Sequence, residues 1–92
     1  MKTLVAGYGE IGRSVYEILS KEYPCQAIDK NIGFEVNKGE TFDIMHVCFP
    51  YSDEFIKEVK RYKRLYKPKY VVIHSTVPVG TNRKLGSISS PV

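Results

Sequence analysis

Ninety-two residues at 42% hydrophobic content hold one small core and exclude a second domain. No apolar run approaches the roughly 20 residues that cross a bilayer, and the N-terminus reads as a strand rather than as a charged segment leading a signal peptide, so a cytoplasmic location without membrane contact is expected. The formal charge of +4 is unevenly placed: residues 1–54 carry −4 and residues 55–92 carry +8.

The first predicted strand, Thr3 to Ala6, closes at Gly7, and Ile11, Val15, Ile18 and Leu19 then recur at helical spacing up to an exit marked by Pro24. Cys25 to Ile28, Ile44 to Phe49 and Tyr70 to His74 are three further apolar runs, each bounded by Gly, Pro, Asp or Ser. Their continuous character is that of strands covered by helices on both faces. The twelve residues from Lys30 to Thr41 are too few for a full crossover helix and strand, so a loop with at most a short fragment is expected there. Residues 53–66 form the helix between the third and fourth strands, with Ser52 as N-cap and Pro68 beyond its end. Right-handed crossovers then order about four parallel strands 2-1-3-4, with a ligand crevice between the first and third. The domain is expected to run over residues 1–86, and residues 87–92 read as a frayed or truncated tail. A chain of this size hides roughly 60 to 65% of its unfolded surface, so a homodimer or a further domain would help it.

Cys25 and Cys48 lie in apolar strands without Cys-x-x-Cys spacing or a His cluster, and read as reduced core residues rather than zinc ligands. His46 stands two residues from Cys48, on the same strand face, and strand core accounts for both. Lys57, Lys60, Arg61, Lys63, Arg64, Lys67 and Lys69 give the second helix a basic face. Phe55, Ile56, Val59, Tyr62, Leu65 and Tyr66 interleave at helical spacing, so these cations read as a solvated outer face, and nucleic acid ranks well below a small-molecule partner.

Gly7-Tyr8-Gly9-Glu10-Ile11-Gly12 fits G-x-G-x-x-G and falls between a strand and a helix, the context that gives this motif its meaning. The first glycine allows the tight turn, the second lets a diphosphate reach the backbone, and the third lets helix pack on strand. The helix N-terminus supplies free N–H donors and a positive dipole end. These residues imply a Rossmann-like three-layer α/β domain. Asp29 follows Gly9 by 20 residues, at the end of the second strand, where a carboxylate accepts ribose hydroxyls. Its charge opposes a 2′-phosphate, so NAD is expected over NADP, with Lys30 alongside softening the preference. Phe49 and Pro50, at the end of the third strand, are placed on the same crevice as adenine or ribose contacts.

The run Ser75-Thr-Val-Pro-Val-Gly-Thr81 after an apolar strand, taken with the glycine motif, resembles the N-terminal domain of the UDP-glucose and GDP-mannose dehydrogenase family over nearly the whole chain. The cofactor domains of 6-phosphogluconate and 3-hydroxyisobutyrate dehydrogenases are more distant likenesses. The resemblance implies that Ser75 and Thr76 line the nicotinamide end of an NAD site, with Thr76 also near the reacting carbon as a candidate catalytic group. In that family the catalytic cysteine and lysine come from a later helix and a C-terminal domain, which this chain lacks. The expected function is thus the NAD-binding domain of an oxidoreductase acting on a nucleotide-sugar or another hydroxy substrate, incomplete by itself. The alternative is a stand-alone, non-catalytic nucleotide-binding module.

Overall fold

The computed structural model describes residues 1–29, 33, 36 and 39–89. Five parallel strands form one sheet in the order β2-β1-β3-β4-β5, flanked by helices in a Rossmann-like arrangement. In chain order the elements are β1 (Thr3–Ala6), α1 (Glu10–Leu19), β2 (Cys25–Ile28), β3 (Ile44–Val47), α2 (Phe55–Tyr66), β4 (Tyr70–Ile73), α3 (Thr81–Leu85) and β5 (Ile88–Ser89). The expected order 2-1-3-4 is present, and β5 extends it by pairing Ile88 with Val72 and Ser89 with Ile73. Residues 88 and 89 therefore belong to the sheet and are not a frayed tail, while residues 90–92 lie outside the described residues. Most of the link from Lys30 to Thr41 lies outside them too, although its Val36 is buried in the core.

The core forms on the face that α2 covers. Phe55, Val59, Tyr62 and Tyr66 of α2 and Leu85 of α3 meet Leu4, Ala6, Met45, Val47, Val71 and Ile73 of the sheet. Lys57, Lys60, Arg61 and Arg64 of α2 turn outward, and two of them pair with acids: Lys57 with Glu54 and Arg61 with Glu58, both at 3.9 Å. Pairs this exposed add little stability. Lys63, expected on the same solvated face, is instead half-buried and donates to the Leu85 carbonyl of α3 at 2.6 Å. The helix starts at Phe55 rather than at 53, and Glu54, not Ser52, occupies the N-cap position without a side-chain cap bond. Ser52 acts through its carbonyl instead, accepting the Phe55 N–H at 3.0 Å in the turn that leads into the helix.

Among the described residues the opposite face is only half covered. α1 packs on β1 and β2, and β1 is buried along its whole length. In β3 and β4 buried residues alternate with half-buried or exposed ones, contrary to the expectation of strands covered on both sides. Handedness explains this: the crossovers β3-α2-β4 and β4-α3-β5 step the same way across the sheet, so right-handed connections put both helices on one face. Ile44, His46, Tyr70 and Val72, with Ile88 beside Val72, make up the other. Within α1 only Gly12 is buried; Ile11 and Ile18 are 51% and 69% exposed, so the helix faces the sheet through Gly12 rather than through that apolar pair.

Asp43 ties together the amino ends of three strands. Its Oδ2 accepts the Lys2 N–H at 2.7 Å, Lys69 Nζ lies 3.6 Å from its Oδ1, and its carbonyl accepts the N–H groups of Lys69 and Tyr70. The Lys2 N–H, aided by the Lys69 charge, holds its carboxyl below the usual range. A folded-state pKa below the unfolded value of about 3.9 stabilises the fold above that value, and the gain is lost as pH falls through the folded value. In thermal melts, wild type should exceed Asp43→Asn at pH 7, and the gap should close below about pH 4. A gap that widens in acid would contradict this.

Candidate functional site

The three glycines between β1 and α1 have distinct surroundings. Gly7 has φ +97°, a left-handed conformation, and a Cβ there would stand 2.7 Å from the Phe49 backbone nitrogen. The end of β1 thus rests directly against the exit of β3. A Cβ on Gly12 would fall 1.8 Å from the Gly7 carbonyl oxygen, so α1 packs backbone to backbone on the loop. Gly9 differs: it is the N-cap of α1 with no side-chain cap bond, and nothing stands within 4 Å of where its Cβ would be. The first-turn N–H groups of a helix have no intrahelical acceptor, and here a bare N-cap stands before them.

Asp29 directly follows β2. Its Oδ2 accepts the Tyr8 N–H at 2.7 Å, which fixes the carboxylate against the glycine loop. Gly7, Gly9, Ile28 and Asp29 share one cavity of about 390 Å³ with Cys48, Phe49, Pro50, Tyr51 and Ser52, the segment leaving β3. The volume falls within the range of small-molecule pockets, about 300–1,000 Å³. The cavity opens at the carboxyl ends of β1, β2 and β3, across the point where the chain changes direction in the sheet, where α/β sheets place their ligands.

The far wall comes from α2 and is aromatic. Phe49 lies 5.2 Å from Phe55 and 6.2 Å from Tyr62 between ring centroids, and Tyr51 lies 5.2 Å from Phe55. Glu54 and Glu58 border the same space. Phe55 and Tyr62 were legible in the sequence only as core positions of a helix; they are core residues and lining residues together. Their periodicity marked the buried stripe without showing that its first turn reaches the crevice.

The remaining expected site residues spread out. Tyr8 is half-buried and edge-on to Tyr16, with 5.7 Å between centroids, while Glu10 and Ile11 are exposed at the start of α1. Lys30 lies outside the described residues. Ser75 and Thr76 do not border the cavity. The Ser75 hydroxyl donates to the Phe49 carbonyl, bracing the exit of β4 against that of β3, and Thr76 is exposed.

Both cysteines are free. Burial pushes the Cys48 thiol up to about 12, so it holds its proton and packs beside Gly12. His46, which shares a strand face with Cys48, has His74 as its hydrogen-bond partner. Among the described residues no three His, Cys, Asp or Glu side chains cluster to hold a metal, and no helix is long and apolar enough to cross a membrane. No family profile, curated protein or solved structure matches the chain.

Proposed function

We propose that the chain binds NAD, in preference to NADP, as the cofactor domain of an oxidoreductase of the kind that the UDP-glucose and GDP-mannose dehydrogenases represent. The observation that carries this reading is the unfilled position at Gly9 beside the fixed Asp29 carboxylate, both on one cavity at the carboxyl edge of the sheet. A diphosphate needs bare main chain and helix N–H donors, and Gly9 with the first turn of α1 offers both. Asp29 then accepts the hydroxyls of the adenosine ribose, while Phe49, Pro50 and Tyr51 give the adenine an apolar bed. Ser75 keeps the β3 and β4 exits in register, and Thr76, exposed beyond the end of β4 and outside the cavity lining, is assigned to the nicotinamide end by the family resemblance alone, where it would position a water or a proton-transfer step. The bound cofactor supplies hydride transfer; the chain supplies placement and electrostatics.

The direct test is calorimetric titration with NAD, NADP and ADP-ribose. NAD and ADP-ribose are expected to saturate the chain, and absence of saturable binding by all three would remove the reading. Asp29→Asn keeps an acceptor for the Tyr8 N–H but loses the charge. Hydrogen bonds to charged groups contribute about 1.5–3 kcal/mol against about 0.5–1.5 for neutral ones, so the difference of about 1 kcal/mol should lower NAD affinity about 5-fold in this variant. The NAD over NADP preference should narrow, because the charge opposing a 2′-phosphate is gone.

A further inference from the structure

We propose that His46 and His74 together chelate one borderline divalent metal ion, zinc, nickel or copper, on the sheet face that carries neither α2 nor α3. The proposal is independent of the cofactor reading, since neither histidine borders the cavity.

His46 lies on β3 opposite Val72 of β4, and His74 stands two residues beyond Val72, immediately after the strand, with its N–H donating to the Val47 carbonyl. Two adjacent parallel strands thereby bring together residues 28 apart in sequence. The facing nitrogens, His46 Nδ1 and His74 Nε2, are 2.8 Å apart, and the ring centroids are 5.1 Å apart with 33° between planes. Two imidazoles bound to one zinc at about 2.0–2.1 Å have their nitrogens about 2.9 Å apart at a right angle and about 3.3 Å apart at the tetrahedral angle. The nitrogen spacing therefore changes by about half an ångström at most, but the rings meet end to end, so each turns by about 35–45° to aim its lone pair at a shared ion.

The chemistry suits such an ion as well as the spacing does. Imidazole nitrogen is a ligand for zinc, copper and nickel, and only the neutral ring offers a lone pair. Burial lowers both basicities, that of His46 to about 4 with the neighbouring His74 contributing, so both rings are neutral at physiological pH. In the metal-free chain one ring donates its N–H to the other. Coordination needs both facing lone pairs, so that proton moves to the outer nitrogen of the same ring and none is lost overall. Both rings are half-exposed on the face that no helix covers at β3 and β4 among the described residues, which gives an ion access. With no clustered third ligand among the described residues, the pair supplies two positions and leaves the others to water or an exogenous ligand.

His46 and His74 are the only histidines in the chain, which makes an untagged protein a clean reporter. Zinc and nickel ions should each titrate the folded chain to one equivalent by calorimetry, and in the wild-type protein the ring resonances of both histidines should move together. His46→Gln and His74→Gln should each weaken binding at least about tenfold. Ring signals that do not move at millimolar zinc, movement of one ring alone, or unchanged affinity in both variants would overturn the proposal. Because the ring resonances are read in the wild type, the test stands even if a variant fails to fold.

Discussion

Gly12→Ala is expected to lower the thermal midpoint by about 10 °C or more, or to prevent folding altogether. Two effects oppose each other at this position. Alanine in a helix interior is favoured over glycine by about 0.8–1.0 kcal/mol, so α1 taken alone would gain from the change. Against that, the new Cβ would lie 1.8 Å from the Gly7 carbonyl oxygen and 2.8 Å from its carbon, with Cys48 at 3.4 Å behind. The clash is with backbone, so no rotamer relieves it, and α1 must lift from β1 or the loop must reshape. Overpacking costs about 1–3 kcal/mol and occasionally more; a 1.8 Å approach to backbone stands at the upper end, so about 2 kcal/mol or more remains after the propensity gain, and each kcal/mol shifts the midpoint of a domain this small by about 4–8 °C. The clash therefore outweighs the propensity gain. Circular-dichroism melts of the two proteins decide it, and midpoints within about 2 °C would mean that α1 does not approach β1 as closely as described.

The close approach at Gly12 was readable from the motif because strand, glycine loop and helix are contiguous, and local spacing carries local geometry. The order of β2, β1, β3 and β4 was readable for a related reason: right-handed crossovers leave few arrangements for strands whose boundaries are punctuated by Gly, Asp and Pro. Elements that depend on distant partners were not readable. α3 has five residues, and β5 two, Ile88 and Ser89, lengths at which periodicity carries no signal; they exist because Leu85 reaches the core and Ile88 pairs with Val72. Ser52 has the right side chain for a helix cap, yet the turn from Ser52 to Phe55 displaces it. The apolar spacing of Ile11 and Ile18 announced a helix but not which stripe faces the sheet, because close packing at Gly12 decides the rotation of α1. The pairing of His46 with His74 depends on the register between β3 and β4, which neither strand encodes alone.

Gly9→Val should separate function from folding, since Gly9 belongs to the same motif as Gly12 but borders open space. Its backbone, with φ −81° and ψ −155°, is extended with a negative φ, so no left-handed conformation opposes a side chain, and no atom lies within 4 Å of the added Cβ. Valine is a poorer N-cap than glycine, which costs on the order of 1 kcal/mol or less and a few degrees in midpoint. The variant should therefore remain folded at 25 °C, with a circular-dichroism spectrum matching the wild type. Its branched side chain would nevertheless occupy the space through which a diphosphate must approach the first-turn N–H groups. Oriented charge-assisted hydrogen bonds of this kind are worth about 1.5–3 kcal/mol each, so loss of two corresponds to a drop of at least about 100-fold in NAD and ADP-ribose affinity. Adenosine alone carries no phosphate and should bind both proteins equally in the same calorimeter. If Gly9→Val retains wild-type affinity for NAD, the diphosphate does not rest on this main chain. If the variant loses adenosine as well, the substitution has disturbed the cavity as a whole, and the assignment of Gly9 to the phosphates fails.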